Sequence, residues 1–314
     1  MTFTIEKYCQ HRCDEIIDCW NQSLPYDPIS KDRFMYMIVF DQNFDQELAL
    51  TALLDNKVIG FCLGMKRKYP YLTRGLEPER GWITVMFVAE PFRKRGYGSK
   101  MLERCESLLK QKGASQITLA AYSPNYFTPG VDLQYTSAIS FFEKHGYAKK
   151  DECVSMARDL YTIQFSETVK QKQISLEKEG ISFIPYREYY MDSLLELTAA
   201  QFGAGWTLDA MRLISHNDAS KTIMLVVQND KVIGFCMRRI DGNDGRFGPI
   251  GISEEYRNKG LGGVLLEMQM KEMQKQAVYS FYCLWTGGAA RRFYERHGLH
   301  VYRTYNMYRK DLAE

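Results

Sequence analysis

One sequence pattern occurs twice in the chain, and this internal repeat is the strongest constraint on its fold. Residues 93–98 read RKRGYG, and residues 257–262 read RNKGLG, a separation of 257 − 93 = 164 residues. Each copy follows an apolar run and opens a stretch whose apolar residues recur every three to four positions. At both places the pattern predicts a buried strand that passes through a glycine turn into a helix.

Other blocks repeat in the same order as the glycine turns. They are KVIGFC at 57–62 and 231–236, FFEKHGY at 141–147 beside FYERHGL at 293–299, and MARDL at 156–160 beside MYRKDL at 307–312. Matched blocks in one order indicate a domain of about 150 residues that is present twice. We therefore expect domains at 1–162 and 180–314, joined by a polar, Lys/Glu-rich connector at 163–179.

Bulk properties are those of an ordinary globular protein. A length of 314 residues suits two domains that each bury a core, with 45% hydrophobic and 25% charged residues. A net charge of +3 without a long basic run argues against nucleic acid as a partner. The N-terminal residues lack the layout of a secretory signal, and no apolar run has membrane-spanning length. We expect a cytoplasmic protein with no membrane partner, with its cysteines as buried free thiols and no metal.

The order of predicted elements indicates an α/β fold with a mixed sheet. In the first half, a strand and two helices precede a hairpin turned at Asp55-Asn56, followed by strand, helix, strand, helix and strand. The second half repeats this order, with its hairpin turned at Asn229-Asp230. Such an order predicts a mixed, mostly antiparallel twisted sheet in each half, with helices on both faces.

The glycine turns are typical of an anion site, because a strand-to-helix junction presents free N–H groups and the positive end of the helix dipole. A dinucleotide fingerprint requires a third glycine where Met101 and Leu265 stand, and a P-loop requires Gly-Lys-Ser/Thr, whereas Gly98-Ser99-Lys100 has another order. The remaining pattern is Arg-x-x-Gly-x-Gly after a strand. With this turn and the later Phe-Tyr-Glu-x-x-Gly helix, the chain resembles the GNAT superfamily of CoA-dependent N-acyltransferases, twice over nearly its whole length.

The resemblance implies acetyl-CoA as the co-substrate and names the residues that would bind it. In this family the turn amides hold the CoA pyrophosphate, and the preceding strand runs beside the pantetheine arm. The corresponding positions are Phe87, Val88, Arg93, Lys94, Arg95, Gly96, Tyr97, Gly98 and Ser99 in the first half, and Ile252, Arg257, Asn258, Lys259, Gly260, Leu261, Gly262 and Gly263 in the second. The glycines lack a Cβ, so the backbone can approach a phosphate closely.

The two halves differ where the family places its general acid. A tyrosine hydroxyl of the Phe-Tyr-Glu helix usually protonates the departing thiolate, and Tyr294 fills that position, whereas Phe142 replaces it in the first half. Tyr294 as an amphipathic core residue is the competing interpretation. No carboxylate lies in the strand before either turn, so no general base is assigned; Glu79, Glu90 and Glu254 are loop candidates.

The first half carries extra segments of about ten and twelve residues, near 66–80 and 123–134. Long loops commonly carry binding residues. Four polar residues there or beside them are candidates for substrate binding or for a domain interface: Tyr122, Asn125, Tyr126 and Asp132. The sequence thus predicts a tandem N-acetyltransferase that acts on a small-molecule or peptide amine, with an oligomer possible. Two alternatives stay open: only one half is catalytic, or the chain is a non-catalytic CoA-binding regulatory protein.

Overall fold

A computed structural model describes residues 1–312, and its strands and helices follow the predicted order. From the N-terminus to the end of the first repeat, the elements are β1 Phe3–Lys7, α1 Cys13–Ser23, α2 Lys31–Phe34, β2 Ala49–Leu54, β3 Lys57–Met65, β4 Arg80–Val88, α3 Tyr97–Gln111, β5 Gln116–Leu119, β6 Val131–Asp132, α4 Thr136–Lys144 and β7 Ala148–Asp159. A π-helical turn, Met35–Val39, continues α2.

The second repeat begins with a helix and then returns to the same order of elements. It comprises α5 Glu167–Lys178, β8 Ile181–Pro185, α6 Met191–Gln201, α7 Ala204–Ser215, α8 Ala219–Thr222, β9 Ile223–Gln228, β10 Lys231–Arg238, β11 Phe247–Ile252, α9 Leu261–Lys275, β12 Ser280–Thr286, α10 Gly288–Arg296 and β13 His300–Asp311. Among the described residues, none of these helices is long and apolar enough to cross a bilayer.

The chain forms two compact units whose bounds differ from the expected domains 1–162 and 180–314. One unit contains Met1–Cys153 together with the chain from Thr304 onward, and the other contains Val154–Arg303. Thus β13 pairs with β5 of the first unit, with Arg309 opposite Thr118, and β7 pairs with β12 of the second, with Met156 opposite Cys283. The last strands of the two repeats, β7 and β13, have matching sequences, so each presents similar side chains to either sheet. The sequence repeat therefore did not reveal that each of them pairs in the unit formed mainly by the other repeat.

The expected connector at 163–179 is largely a helix that belongs to the second unit. Ser166 caps α5, because its Oγ accepts the N–H of Val169 at 3.4 Å. Leu176 is 1% exposed and packs in the same cluster as Leu265 and Met270 of α9. The polar composition of 163–179 therefore reflects the exposed face of a helix that packs in the second unit.

Each unit has a sheet with an apolar cluster on either face, as the element order predicted. In the first unit β1 to β4 are antiparallel and β5 joins β4 in parallel. Phe61 of β3 packs beneath α1 and α2, whereas its neighbour Cys62 packs beneath α3. In the second unit β8 to β11 are antiparallel, and Phe235 and Cys236 of β10 divide between the two faces in the same way. Alternation of side chains along a strand produces this division.

Candidate functional site

The first glycine turn has the open backbone that an anion site requires. Lys94 and Gly96 adopt left-handed conformations, with φ of 60° and 83°, and Gly96 is the N-cap of α3. The first backbone bond that closes this turn of the helix runs from the N–H of Lys100 to the carbonyl oxygen of Gly96, at 3.1 Å. The preceding helical N–H groups have no acceptor within a helix. They therefore converge on the space in front of the α3 N-terminus.

The second glycine turn repeats this backbone conformation. Asn258 and Gly260 have φ of 62° and 86°, and the N–H of Val264 donates to the carbonyl oxygen of Gly260 at 3.4 Å. Its surroundings differ in one respect: a Cβ added to Gly260 would lie 3.0 Å from Cε of Lys172 on α5, whereas no described neighbour lies within 4 Å of that position at Gly96. Helix α5 thus places an amine-bearing side chain beside the second turn.

The arginines that open the motif brace the turns. Arg93 donates from Nε to the carbonyl oxygen of Val88 at 2.8 Å, and from Nη2 to that of Ser23 at 3.2 Å. Arg257 donates from Nε to the carbonyl oxygen of Ile252 at 3.2 Å. Each arginine therefore holds its turn against the last residue of the preceding strand. This is a structural role that the motif alone did not reveal.

Arg95 and Lys259 are exposed cations at matched positions of the two turns. Cζ of Arg95 lies 6.0 Å from the ring centroid of Phe92, and Nζ of Lys259 lies 5.0 Å from that of Tyr256. The turns thus carry matched positive side chains at matched places. Gly98 and Gly262 are the second glycines of the two motifs. A Cβ added to Gly98 would lie 3.4 Å from the ring of Phe141, and one added to Gly262 would lie 3.6 Å from the ring of Phe293. Both distances are ordinary van der Waals contacts, so the phenylalanines alone do not require glycine at these positions.

The central strands separate before the chain reaches the glycine turns. A cofactor arm lying beside a strand would need the space that this separation leaves. Pairing of β4 with β5 ends at Ile83 and Leu119, although β4 continues to Val88. Ala120 and Ala121 then turn the chain away, with φ of 54° and 53°. In the second unit Arg246, the residue before β11, forms an isolated parallel bridge with Tyr282 of β12. Phe87, Val88 and Ile252 lie on the parts of β4 and β11 that follow these pairings, and their contact with CoA stays a prediction.

Tyr294 lies in the core of the second unit, as Phe142 does in the first. Their exposed fractions are 8% and 6%, and the Tyr294 ring packs edge-on against Phe247 with centroids 5.4 Å apart. Burial raises the pKa of Tyr294 well above its ordinary value, with smaller contributions from Cys283 and Cys236. The phenol therefore stays protonated at neutral pH, which a proton donor requires. Its packing equally fits the core interpretation.

Two of the predicted substrate residues meet in a polar cluster on the α1 and α2 side of the first unit. Asp41 accepts a hydrogen bond from the Tyr122 hydroxyl at 3.3 Å and from Nδ2 of Asn125 at 2.7 Å. Asn43 donates to the Tyr122 hydroxyl at 2.8 Å and accepts the N–H groups of Lys68 and Tyr69. Burial, followed by the charge of Asp41, raises the pKa of Tyr122. Both extra segments of the first half are therefore tied to one network.

The other two predicted substrate residues are Asp132, on β6, and Tyr126, in the segment that follows Tyr122. Asp132 is 2% exposed, accepts the N–H of Gln134 at 2.8 Å and belongs to β6, opposite Tyr305 of β13. These contacts are typical of a turn and a sheet edge. Tyr126 is half-buried in the segment that follows Tyr122. The structure therefore brings together Tyr122 and Asn125 but not Asp132.

Several residues whose side chains could take part in binding or catalysis lie outside every motif of the sequence. In the first unit they are Asp41, Asn43 and the buried Arg67, whose Nε donates to Oε2 of Glu77 at 2.9 Å. In the second, burial raises the pKa of half-buried Asp209 on α7 to about 6, although Arg212 and Arg246 oppose the shift. Asp209 therefore joins exposed Glu79, Glu90 and Glu254 as a candidate base. No motif marks these residues, and Asp41 meets Tyr122 from a segment 81 positions away.

Comparison with known proteins agrees with this geometry. The family model described as "Acetyltransferase (GNAT) family" matches residues 11–147 and 191–299, one segment in each repeat. No curated protein sequence matches the chain.

Solved structures with the same fold span nearly the whole chain. A glucosamine N-acetyltransferase region of a fungal multi-domain GH3 β-N-acetylglucosaminidase superposes with a TM-score of 0.79 at 18% identity, covering 98% of this chain and 38% of that one. A GCN5-related N-acetyltransferase from Sphaerobacter thermophilus gives 0.72 at 17%, covering 99% and 96%. A tandem GNAT protein from the clavulanic acid biosynthesis pathway gives 0.69 at 12%, covering 100% and 99%. With a family match in both repeats, the chain belongs to the acetyltransferase (GNAT) family.

Proposed function

We propose that the protein is an N-acetyltransferase that uses acetyl-CoA and an amine of a small molecule or peptide. The observation that carries the proposal is the shared backbone of the glycine turns, with left-handed Gly96 and Gly260 at the N-termini of α3 and α9. Both turns fit a diphosphate, because amides, the helix dipole and an exposed cation converge there. The fold neighbour named as a glucosamine N-acetyltransferase region supports an amine acceptor.

The reaction needs a proton acceptor and a proton donor. Acetyl-CoA supplies a thioester, so transfer forms a C–N bond to the amine, breaks the C–S bond, removes a proton from nitrogen and delivers one to the thiolate. Deprotonating an alkyl ammonium with a pKa near 10.4 at pH 7 costs roughly 4 to 5 kcal/mol. A carboxylate such as Asp209 in the second unit can accept that proton. The neutral phenol of Tyr294 can donate to the departing sulfur, for a factor of about 10² to 10⁴ in rate.

The units need not contribute equally to turnover. Tyr294 favours the second unit as the site of transfer, whereas the polar cluster around Tyr122 favours acceptor binding in the first. An acetyltransferase with one working half and one degenerate half is the second candidate function. Single-turnover assays of Tyr294→Phe and Tyr122→Phe variants separate the alternatives, since only the working half affects the chemical step.

A panel assay of CoA release tests the proposal. Purified protein is incubated with acetyl-CoA and a set of amino sugars, polyamines, amino acids and peptides, and free thiol is measured against a protein-free control. The expected result is amine-dependent release of CoA with an acetylated product of matching mass. The proposal fails if no amine stimulates release and calorimetry detects no binding of acetyl-CoA.

A further inference from the structure

Arg67 is a buried cation with unused hydrogen-bonding capacity. Its side chain is 1% exposed, and its Nε donates to Oε2 of Glu77 at 2.9 Å. Within the described chain, its Nη1 and Nη2 have no hydrogen-bond partner. The rings of Tyr71, Trp82 and Tyr122 surround it, with centroids 4.7, 4.9 and 5.1 Å from Cζ. Aromatic faces stabilise a cation, but they are weak acceptors for N–H groups, so these two nitrogens lack an oxygen acceptor.

The carboxylate that pairs with Arg67 is shared with a second arginine. Glu77 is shared, because its Oε1 also accepts Nη1 of Arg80 at 2.7 Å. Burial alone would raise the pKa of Glu77, but the hydrogen bonds from both arginines lower it below its ordinary value. Lys66 is also buried and donates to the carbonyl oxygen of Pro78 at 2.6 Å. One shared carboxylate therefore faces two guanidinium groups, and the nearby ammonium of Lys66 interacts with Glu79 as well as with Glu77.

An acidic group lies across Tyr122 from this cluster. Asp41 is 7% exposed, and its hydrogen bonds come from the Tyr122 hydroxyl, Nδ2 of Asn125 and the N–H of Asn43. None of these donors is a cation. Tyr122 thus has its hydroxyl toward a carboxylate and its ring toward a guanidinium. A ligand with a carboxylate and an amine has the complementary pair of charges.

The cluster is specific to the first repeat. Arg67, Tyr71 and Glu77 lie in the extra segment near 66–80, and Asn125 lies in the one near 123–134. We propose that the acceptor of the first unit is an amine that also bears a carboxylate, which binds Nη1 and Nη2 of Arg67 while the amine lies on the Asp41 side of Tyr122. This inference rests on the proposed function, whose acceptor it narrows to amino acids and related amino-carboxylates.

Matched acceptors test the carboxylate directly. Amino acids whose carboxylate lies one, two or three carbons from the amine are each compared with the corresponding carboxamide, which keeps shape and loses charge. A charge-assisted bidentate contact is expected to give the carboxylate an advantage of about ten- to a hundredfold in kcat/KM. Equal rates for every acid and its amide would overturn the proposal.

Two variants of the same ion pair provide a control for loss of folding. Arg67→Gln and Glu77→Gln both break the buried pair and both lower the thermal midpoint. Arg67→Gln is expected to remove the preference for the carboxylate by raising KM, whereas Glu77→Gln, which leaves more unpaired positive charge, is expected to keep or increase it. Loss of the preference in both variants would show that the pair only supports the loop, and would contradict the proposal.

Binding measurements separate failure of this inference from failure of the proposed function. The acid and amide pairs are titrated into the full-length protein by calorimetry without acetyl-CoA. Tighter binding of the acids with no CoA release from any acceptor would retain the carboxylate site and refute the acetyltransferase. Release of CoA with amides and acids alike would retain the enzyme and refute the carboxylate site.

Discussion

Nε2 of His145 lies 3.0 Å from the hydroxyl oxygen of Ser99, in the first turn of α3, where the first glycine turn meets the helix. Nδ1 of the same ring lies 2.7 Å from the carbonyl oxygen of Phe141, so Nδ1 carries the proton and Nε2 accepts from Ser99. In the second unit Gly263 replaces the serine and packs directly against His297. The two glycine turns therefore share a backbone conformation, and the first has a serine hydroxyl bonded to its histidine where the second has a glycine.

Ser99→Ala should weaken acetyl-CoA binding in the first unit by a few-fold and leave the second unit unchanged. The variant removes one hydroxyl beside the turn and one hydrogen bond to His145, which contributes about 1 kcal/mol. Calorimetry resolves the two sites if their affinities differ. An equal loss in both sites would contradict a local role for Ser99.

Removal of Arg93 should destabilise the fold more than removal of Arg257. Arg93 ties the carbonyl oxygens of Val88 and Ser23, whereas Arg257 holds Ile252 and an exposed Glu254. We expect Arg93→Ala to cost about 1 to 2 kcal/mol and Arg257→Ala less than about 1 kcal/mol. Urea unfolding of both variants, with Arg95→Ala as a control for lost surface charge, measures the difference. A reversed order would refute the bracing role.

Tyr294→Phe should lower kcat without lowering stability, because Phe142 already fills the equivalent core position in the first unit. Loss of a general acid typically costs about 10² to 10⁴ in rate. Phe142→Tyr is the matched variant, since it adds a hydroxyl in the same environment of the other repeat. An unchanged kcat for Tyr294→Phe, with thermal unfolding also unchanged, would assign Tyr294 to the core alone.

Asp209 should make stability fall as pH rises. Its folded pKa of about 6 lies above its ordinary value of 3.8, so the folded protein binds more protons than the unfolded chain between these values. The contribution of Asp209 to the free energy of unfolding is therefore greatest below about pH 4 and is lost as the pH rises through about 6. Asp209→Asn should be about 1 to 3 kcal/mol more stable than wild type at pH 7.5, relative to their difference at pH 4. Urea unfolding at both pH values checks the sign, and a pH-independent difference would contradict the assignment.

The local parts of the site were accessible from the sequence, because they depend on backbone conformation near one residue. Gly96 and Gly260 adopt the left-handed conformation that their motif predicts, and the helices begin where the apolar periodicity begins. The hairpins turn at Asp55-Asn56 and Asn229-Asp230, as expected for residues that tolerate positive φ.

Features that depend on contacts between residues far apart in the chain could not be predicted from the sequence. Met156 and Met307 stand in equivalent blocks, and nothing in either block specifies which sheet the strand enters. Asp41 meets Tyr122 across 81 positions of sequence, so no spacing rule links them. Helix α5 was missed because few apolar residues, such as Val169 and Leu176, mark its buried side.

Calorimetric titration of acetyl-CoA into wild type and two charge reversals tests most directly whether both glycine turns hold the CoA diphosphate. Arg95→Glu and Lys259→Glu place a carboxylate beside one turn each, at exposed and matched positions. We expect two sites per wild-type chain, one site in each variant and none in the double variant, with thermal unfolding unchanged. Absence of binding in wild type, or binding that neither reversal weakens, would contradict a diphosphate-binding role for the turns.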